Sequence, residues 1–246
     1  MEDETMQPGA SNAGHLIGVP GPHVENVGVL DLRTCTLEEL SQLKSLRNIG
    51  TVLVSSAIRG GLSGVSSENV GSFIEADPDE RLLVGPMLEL DGLALEAMEE
   101  GQKLIVVGIL WFTDTVTVEQ VQKKLSRLRL TGILLAPQAV RGALLARIEH
   151  IGPIVTLPVG VKNVIKEIGQ KTITAGYLRH VKDDNLYVNI GQTIFAEDVP
   201  LELVQQKISA YINIGQTVAP RGLLDYLDAR CEANLGNFAT PETEGE

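Results

Sequence analysis

Aromatic residues are scarce in this chain. Phe, Trp and Tyr make up 4% of its 246 residues and only one is tryptophan, whereas hydrophobic residues as a whole reach 43%. A core of that composition is stacked from aliphatic side chains and needs few rings. Cysteine is nearly absent. Cys35 and Cys231 lie far apart, so they form no metal site by themselves and give no disulfide framework. The expected setting is reducing and cytoplasmic. Positive charge is also short: 20 Lys and Arg stand against 32 Asp and Glu, a formal net charge of −12. Nucleic acid and anionic membrane surfaces would repel such a chain, so neither is expected as a partner. No apolar run has the length needed to span a bilayer. The opening Met1-Glu2-Asp3-Glu4-Thr5 is acidic where a secretory leader would be basic.

Complete catalytic motifs are missing too. Gly60-Gly61-Leu62-Ser63-Gly64 resembles a nucleophile elbow, but Val65 stands where the second glycine of G-x-S-x-G belongs. No Gly-Lys-Ser or Gly-Lys-Thr supplies a phosphate-cradling loop, and no G-x-G-x-x-G follows a strand-like run. His15, His23, His150 and His180 show no paired metal-ligand spacing. The acidic pairs Glu99-Glu100 and Asp183-Asp184 read as solvated turns or helix ends rather than as general acids or bases. No catalytic, cofactor-binding or metal-ligating residue is assigned, and a non-enzyme is expected.

The chain does contain a repeated phrase, a β-branched or small residue followed by glycine. Ten copies end at Gly28, Gly50, Gly71, Gly85, Gly108, Gly132, Gly152, Gly176, Gly191 and Gly215, with most steps of 20–24 residues and two of 14–15. Asn26, Asn48, Asn69, Asn189 and Asn213 each precede the pair. The closest internal match is Asn189-Ile190-Gly191-Gln192-Thr193 against Asn213-Ile214-Gly215-Gln216-Thr217. Short apolar runs follow the glycines, as in Val52-Leu53-Val54 and Ile133-Leu134-Leu135, and read as buried strands.

Between strands the hydrophobic period becomes helical. Leu37, Leu40, Leu43 and Leu46 form one stripe behind a Thr36–Glu39 capping box. Val118, Val121, Leu125 and Leu128 form another, and Val199, Leu203, Val204 and Ile208 a third. Steps of 20–24 residues are too short for doubly wound strand–helix–strand units, which need about 30 residues. They predict an α/β repeat solenoid: one parallel sheet along one side, one strand per 20–24 residue coil, two coils of 14–15, and short helices on the opposite side. With Leu43-x-x-Leu46-x-x-Ile49 and Leu125-x-x-Leu128, the chain resembles a leucine-rich-repeat β/α solenoid over roughly residues 26–230. The resemblance implies coil geometry and the habit of binding proteins. It assigns no individual residue a role, because the asparagines here precede the strand rather than follow it. The expected organisation is a flexible tail at 1–24, a repeat domain at 25–231 and an acidic flexible tail at 232–246.

Strand alternation then predicts two apolar faces. The row just before each glycine (Val27, Ile49, Val70, Val84, Val107, Ile151, Ile190, Ile214) is taken as the inside. The row two residues after the glycine is apolar as well. Val52, Phe73, Met87, Leu110, Leu134, Ile154 and Leu178 therefore form the candidate protein-interaction face. A sheet apolar on both sides is normally covered on both. The expected function is a non-enzymatic scaffold that self-associates as a homo-oligomer, or binds another protein, through that face. The alternatives are a small-molecule or peptide-binding module on the concave side, with Thr51, Ser72, Tyr177, Gln192 and Gln216 as its polar positions, and a doubly wound α/β enzyme.

Overall fold

The computed structural model describes residues 14–160 and 163–241. The chain is α/β, with mostly parallel sheets and fewer helices. Its residues fall into two compact units, one reaching Leu135 and taking in Ala139–Ile154, the other formed by Ala136–Gln138 and Val155 onward.

Three sheets take the place of the one expected. The first holds β1 (His15–Ile17), β2 (His23–Asp31), β3 (Ser45–Val54) and β4 (Ser66–Glu75), with helix α1 (Leu37–Gln42) and a 3-10 turn at Arg59–Gly64 between strands. The second is built from β5 (Arg81–Leu90), α2 (Gly92–Glu96), β6 (Gln102–Phe112), α3 (Val118–Lys124), β7 (Leu125–Pro137), α4 (Gln138–Leu145) and β8 (Ile148–Ile151), followed in the chain by β9 (Ile154–Leu157). The third contains β10 (Asn163–Ile173), α5 (Ala175–His180), β11 (Asn185–Phe195), α6 (Leu201–Lys207), β12 (Ile208–Asn213), β13 (Gln216–Val218), α7 (Arg221–Ala229), β14 (Cys231–Asn234) and β15 (Asn237–Ala239). In the first two sheets, β1-β2-β3-β4 and β5-β6-β7-β8 lie side by side in chain order and pair in parallel. In the third, β10 pairs with β11, β11 with β12 and β13, and these with β14 and β15, again all in parallel. Strands extend past the 25–231 span expected for the repeat at both ends, as β1 and β15 show, because each adds a rung to the neighbouring strand.

Glycine sets where the strands bend. Gly85, Gly108 and Gly132 lie opposite one another, as do Gly169 and Gly191. A Cβ on Gly28 would sit 2.8 Å from the Gly14 carbonyl oxygen, and one on Gly50 would sit 2.5 Å from that of Gly28. Gly71 stands in the same relation to Gly50. Closer versions of the contact place Gly108 on Gly85, Gly132 on Gly108, Gly152 on Gly132, Gly191 on Gly169, Gly215 on Gly191 and Gly236 on Gly215. The approach leaves no room for a side chain. Gly14, Gly85 and Gly169 meet no preceding glycine, so the described residues contain three ladders of four glycines each.

The two short expected steps are thereby reassigned. The step of 14 residues from Gly71 to Gly85 is a break between ladders rather than a short coil. The step of 15 disappears because Gly176 lies in α5, where Thr174 caps the helix by accepting a hydrogen bond from the Tyr177 N–H at 3.1 Å. The rung paired with Gly191 is Gly169, whose phrase has Glu167 in place of the asparagine.

The bends also decide which face is inside. In the first ladder Asn26, Asn48 and Asn69 take left-handed backbone (φ 59°, 53° and 54°), a conformation in which asparagine is enriched. That twist breaks the two-residue alternation. Ile49, just before its glycine, and Val52, two residues after, consequently share one cluster with Leu40 of α1, Leu43 and Leu46. The third ladder keeps regular alternation: Tyr187 and Phe195 flank Gly191 in the cluster that holds Leu178 of α5, Val204 of α6 and Leu223 of α7. Helices therefore cover one side of each of these two sheets.

The first unit has a second apolar face, made of residues other than the expected row, and it is covered from within the same chain. Val29, Leu53 and Ala76 from the first sheet and its exit pack with Ile105 of β6, bordered by Ile74, Leu82, Val84 and Val107. Sheet lies against sheet, so neither apolar surface needs a second molecule to leave water.

Candidate functional site

The seven residues expected to form an interaction face do not form one. Val52, Leu110, Leu134 and Leu178 are fully buried at 0% exposure. Leu178 is on a helix, because the phrase before it is not a strand phrase. Met87 is half-buried and displaced by a bulge between Gly85 and Met87, so that Leu88 takes the place opposite Leu110. Ile154 is also half-buried. Phe73 alone of the seven is well exposed, at 50%. The error was one of parity. The row two residues after the glycine is the buried row, and in the first ladder the asparagine bend turns the preceding row inward beside it.

Of the large apolar residues that are exposed, Leu37, Leu93 and Leu145 lie on helices and Val159 in a connection, while Ile17, Phe73, Val164, Ile168 and Leu235 lie at the ends of the ladders. β4 pairs only with β3 among the described residues, and it carries Phe73. β10 pairs only with β11 and exposes Val164 at 42% and Ile168 at 50%. At the other end of the third ladder Leu235 is 41% exposed. Inside the ladder the residue aligned with Ile168 is Ile190, at 9%. The same kind of side chain is thus covered in an inner rung and open in the end rungs. An unpaired strand edge bearing apolar side chains is a template for another strand. The polar positions proposed for a concave-side module are dispersed: Thr51 bonds Ser72 at 3.1 Å, Gln192 donates to Gln216 at 2.7 Å, and Tyr177 is on α5. They serve neighbouring rungs.

Asparagines link the rungs in two ways. In the first ladder they are exposed, and Asn48 Nδ2 donates to Asn26 Oδ1 at 3.0 Å while Asn69 Nδ2 donates to Asn48 Oδ1 at 2.8 Å. In the third ladder they are buried. Asn189 Nδ2 donates to Asn213 Oδ1, and Asn213 Nδ2 to Asn234 Oδ1, both at 2.9 Å. Thr193 and Thr217 hydroxyls donate to Asn189 and Asn213 at 3.0 and 3.1 Å. Tyr211 joins Thr217 at 2.8 Å, and the Tyr187 and Tyr211 rings stack at 5.4 Å between centroids. Burial pushes both phenols far above the usual tyrosine value, so they remain neutral hydrogen-bonding groups. Tyr177 is pushed up to about 12 by burial and by its hydrogen bond to the Glu167 carboxylate.

A charged cluster surrounds the Asp77–Glu80 turn between β4 and β5. Arg33 grips both carboxylate oxygens of Asp31 at 2.9 and 2.8 Å and donates to the Asp77 and Glu80 carbonyls at 3.0 and 2.7 Å. Burial raises the Asp31 carboxyl, but the Arg33 hydrogen bonds and charge outweigh it and hold the group below the usual carboxylate range. The Glu80 side chain, wholly buried, faces Arg129 at 3.4 Å and Arg127 at 3.9 Å. Arg33, Asp31 and the turn carbonyls satisfy one another as a clamp, whereas Glu80 Oε2 and Arg129 Nε face each other at 3.4 Å as a buried ion pair without a hydrogen bond. Among the described residues no group of three His, Cys, Asp or Glu side chains is placed to hold a metal ion, and no helix is long and apolar enough to cross a membrane. Comparison with family models, curated proteins and solved structures finds no match to this chain.

Proposed function

We propose that the chain is a non-enzymatic scaffold made of three short β/α solenoid segments, and that it self-associates through the open rungs at their ends. Each segment winds one bent strand and one helix or turn per rung around its glycine ladder. The observation that supports this reading is the exposure of Phe73, Val164, Ile168 and Leu235 on end rungs, where the inner-rung counterparts Val52, Leu186 and Ile190 are buried and Ile214 is half-buried. Stacked-repeat proteins stay soluble as separate particles when their terminal repeats present polar outer faces; these terminal rungs present apolar ones. The expected route of association through a sheet face is replaced by association through strand edges, since four of the seven residues assigned to that face are fully buried. Size-exclusion chromatography with light scattering on the full chain tests the reading. Mass that grows with concentration supports it, and a strict monomer at the highest soluble concentration overturns it.

A further inference from the structure

We infer that the third ladder continues from one copy of the chain to the next, with the β14–β15 rung of one molecule seated on β10 of another. The inference rests on the scaffold reading and specifies its surface and partner. In glycine register, Gly236 of one copy lies against Gly169 of the next. Gly169 has φ +90° and nothing within 4 Å of the position a Cβ would occupy, whereas every later glycine of its ladder is seated on a preceding carbonyl. Leu235 meets Ile168, extending the row that runs through Ile190 and Ile214, and the two exposed apolar side chains (41% and 50%) cover each other.

Hydrogen-bond polarity agrees with this register. Inside the ladder each asparagine donates its Nδ2 to the oxygen of the following one, from Asn189 to Asn213 to Asn234. The next position in line belongs to Glu167, which lies opposite Asn189 in β10. A carboxylate only accepts, so Glu167 is suited to end the series by receiving the Asn234 amide. Phe238, tilted against Tyr211 with centroids 6.1 Å apart, comes opposite Lys171, whose ammonium already lies over the Tyr177 ring at 4.8 Å. The net charges of the two ends also oppose. β10 carries Lys166 and Lys171 against the single Glu167, while the β14–β15 rung carries Glu232 and no basic residue. Such contacts are head-to-tail and do not close on themselves, so they generate open chains of molecules rather than a two-fold dimer.

Sedimentation velocity on full-length protein tests the inference with Ile168→Lys and Leu235→Lys, each at an exposed end-rung position. Folding of each variant is checked by circular dichroism and thermal melting. Wild type is expected to form a concentration-dependent series of species, each variant alone to be monomeric, and a one-to-one mixture to give a species of two chains, since each variant keeps one intact end. A Leu235→Lys protein that still dimerises beside a monomeric Ile168→Lys protein would indicate symmetric β10 pairing and overturn the inference. Association in both variants equal to wild type places the contact elsewhere, overturning the inference while the scaffold reading stands. A monomeric wild type overturns both. If either lysine variant melts early, Gln170→Cys and Asn237→Cys in a Cys35→Ser, Cys231→Ser background replace the pair. The inference expects a disulfide-linked two-chain species only when the two are mixed, and self-linking of Gln170→Cys alone refutes it.

Discussion

Two glycines that the sequence offers as copies of one phrase give the strongest test of the ladder. Gly191 ends Asn189-Ile190-Gly191 in β11, and Gly176 ends Thr174-Ala175-Gly176 at the start of α5. At Gly191 φ is +130° and an added Cβ would drive into the Gly169 carbonyl oxygen. Holding a non-glycine residue there costs about 1–3 kcal/mol in backbone strain. Parting two hydrogen-bonded strands to admit a methyl group costs roughly another 1–3 kcal/mol. Gly191→Ala should therefore lose about 2–6 kcal/mol, a large share of the ~5–15 kcal/mol that holds an ordinary domain folded. At Gly176 the nearest atom to a Cβ is Thr174 Oγ1 at 3.6 Å, an ordinary contact, and the backbone is helical. Gly176→Ala should be neutral or stabilising by up to ~1 kcal/mol, from the helix propensity of alanine. Urea unfolding of both variants, followed by far-ultraviolet circular dichroism, measures the contrast. Equal midpoints for the two, or a greater loss at Gly176, would refute the ladder as the element that sets the bend.

Three further outcomes follow from the same geometry. Asn48→Gly should change stability by less than about 1 kcal/mol, because glycine accepts the left-handed backbone and the side chain is exposed. Asn213→Gly should lose several times as much, because it removes the buried acceptor of the Asn189 amide and the Thr217 hydroxyl together with the donor to Asn234; paired thermal melts read the difference. Leu110→Glu should leave the chain misfolded or insoluble rather than release a soluble monomer, since a carboxylate would replace a side chain with no exposed surface; light scattering of the refolded variant decides. Arg33→Met should cost about 3–5 kcal/mol by stranding the Asp31 charge. The sign of the pH effect follows from the lowered folded-state pKa of Asp31. Its stabilisation is complete above the unfolded carboxylate range near ~3.9 and is lost as pH falls through the lower folded value. Melts of wild type and Asp31→Asn should converge only at the acid end, and a constant difference down to that end would overturn the assignment.

Local chemistry was legible wherever the signal was local. The Thr36 capping box forms as read, with Glu39 accepting from the Thr36 N–H at 2.7 Å and donating its own N–H to the threonine hydroxyl. Thr117 begins α3 in the same manner with Gln120, and the valines at 118 and 121 lie on that helix. The stripe drawn on through Leu125 and Leu128 did not stop at the true boundary, because those leucines are buried equally well from β7. Register is legible from glycine spacing only where one candidate glycine falls at the expected distance. Ile168-Gly169 carries the same β-branched-glycine phrase as Val107-Gly108, and its 22-residue distance from Gly191 is the signal for it, but Ala175-Gly176 lies between the two and competes. The division into three ladders was hidden because it depends on which carbonyl each glycine meets. That is a long-range contact with no composition of its own.

The tripeptide Asn-Ile-Gly shows why the faces could not be read from one strand pattern. Asn48-Ile49-Gly50 turns its asparagine to water and its isoleucine to the core, while Asn189-Ile190-Gly191 buries the asparagine completely. The three residues are identical, so the choice is made outside them, and the residue two places beyond the glycine is the one that differs in kind. In the first ladder it is Leu30, Val52 or Phe73, with no polar group to satisfy, and the asparagine is free to take left-handed backbone at the surface. In the third it is Thr193 or Thr217, whose buried hydroxyl needs an acceptor within reach. The asparagine oxygen four residues earlier supplies it at 3.0 or 3.1 Å, which holds the asparagine inward, and in the Thr193 rung the positive φ falls on Gly191 instead (130°). Leaving that hydroxyl unpaired costs about 1–3 kcal/mol, comparable to the strain of a non-glycine left-handed residue, about 1–2 kcal/mol. A single hydroxyl is therefore enough to decide which way the rung faces.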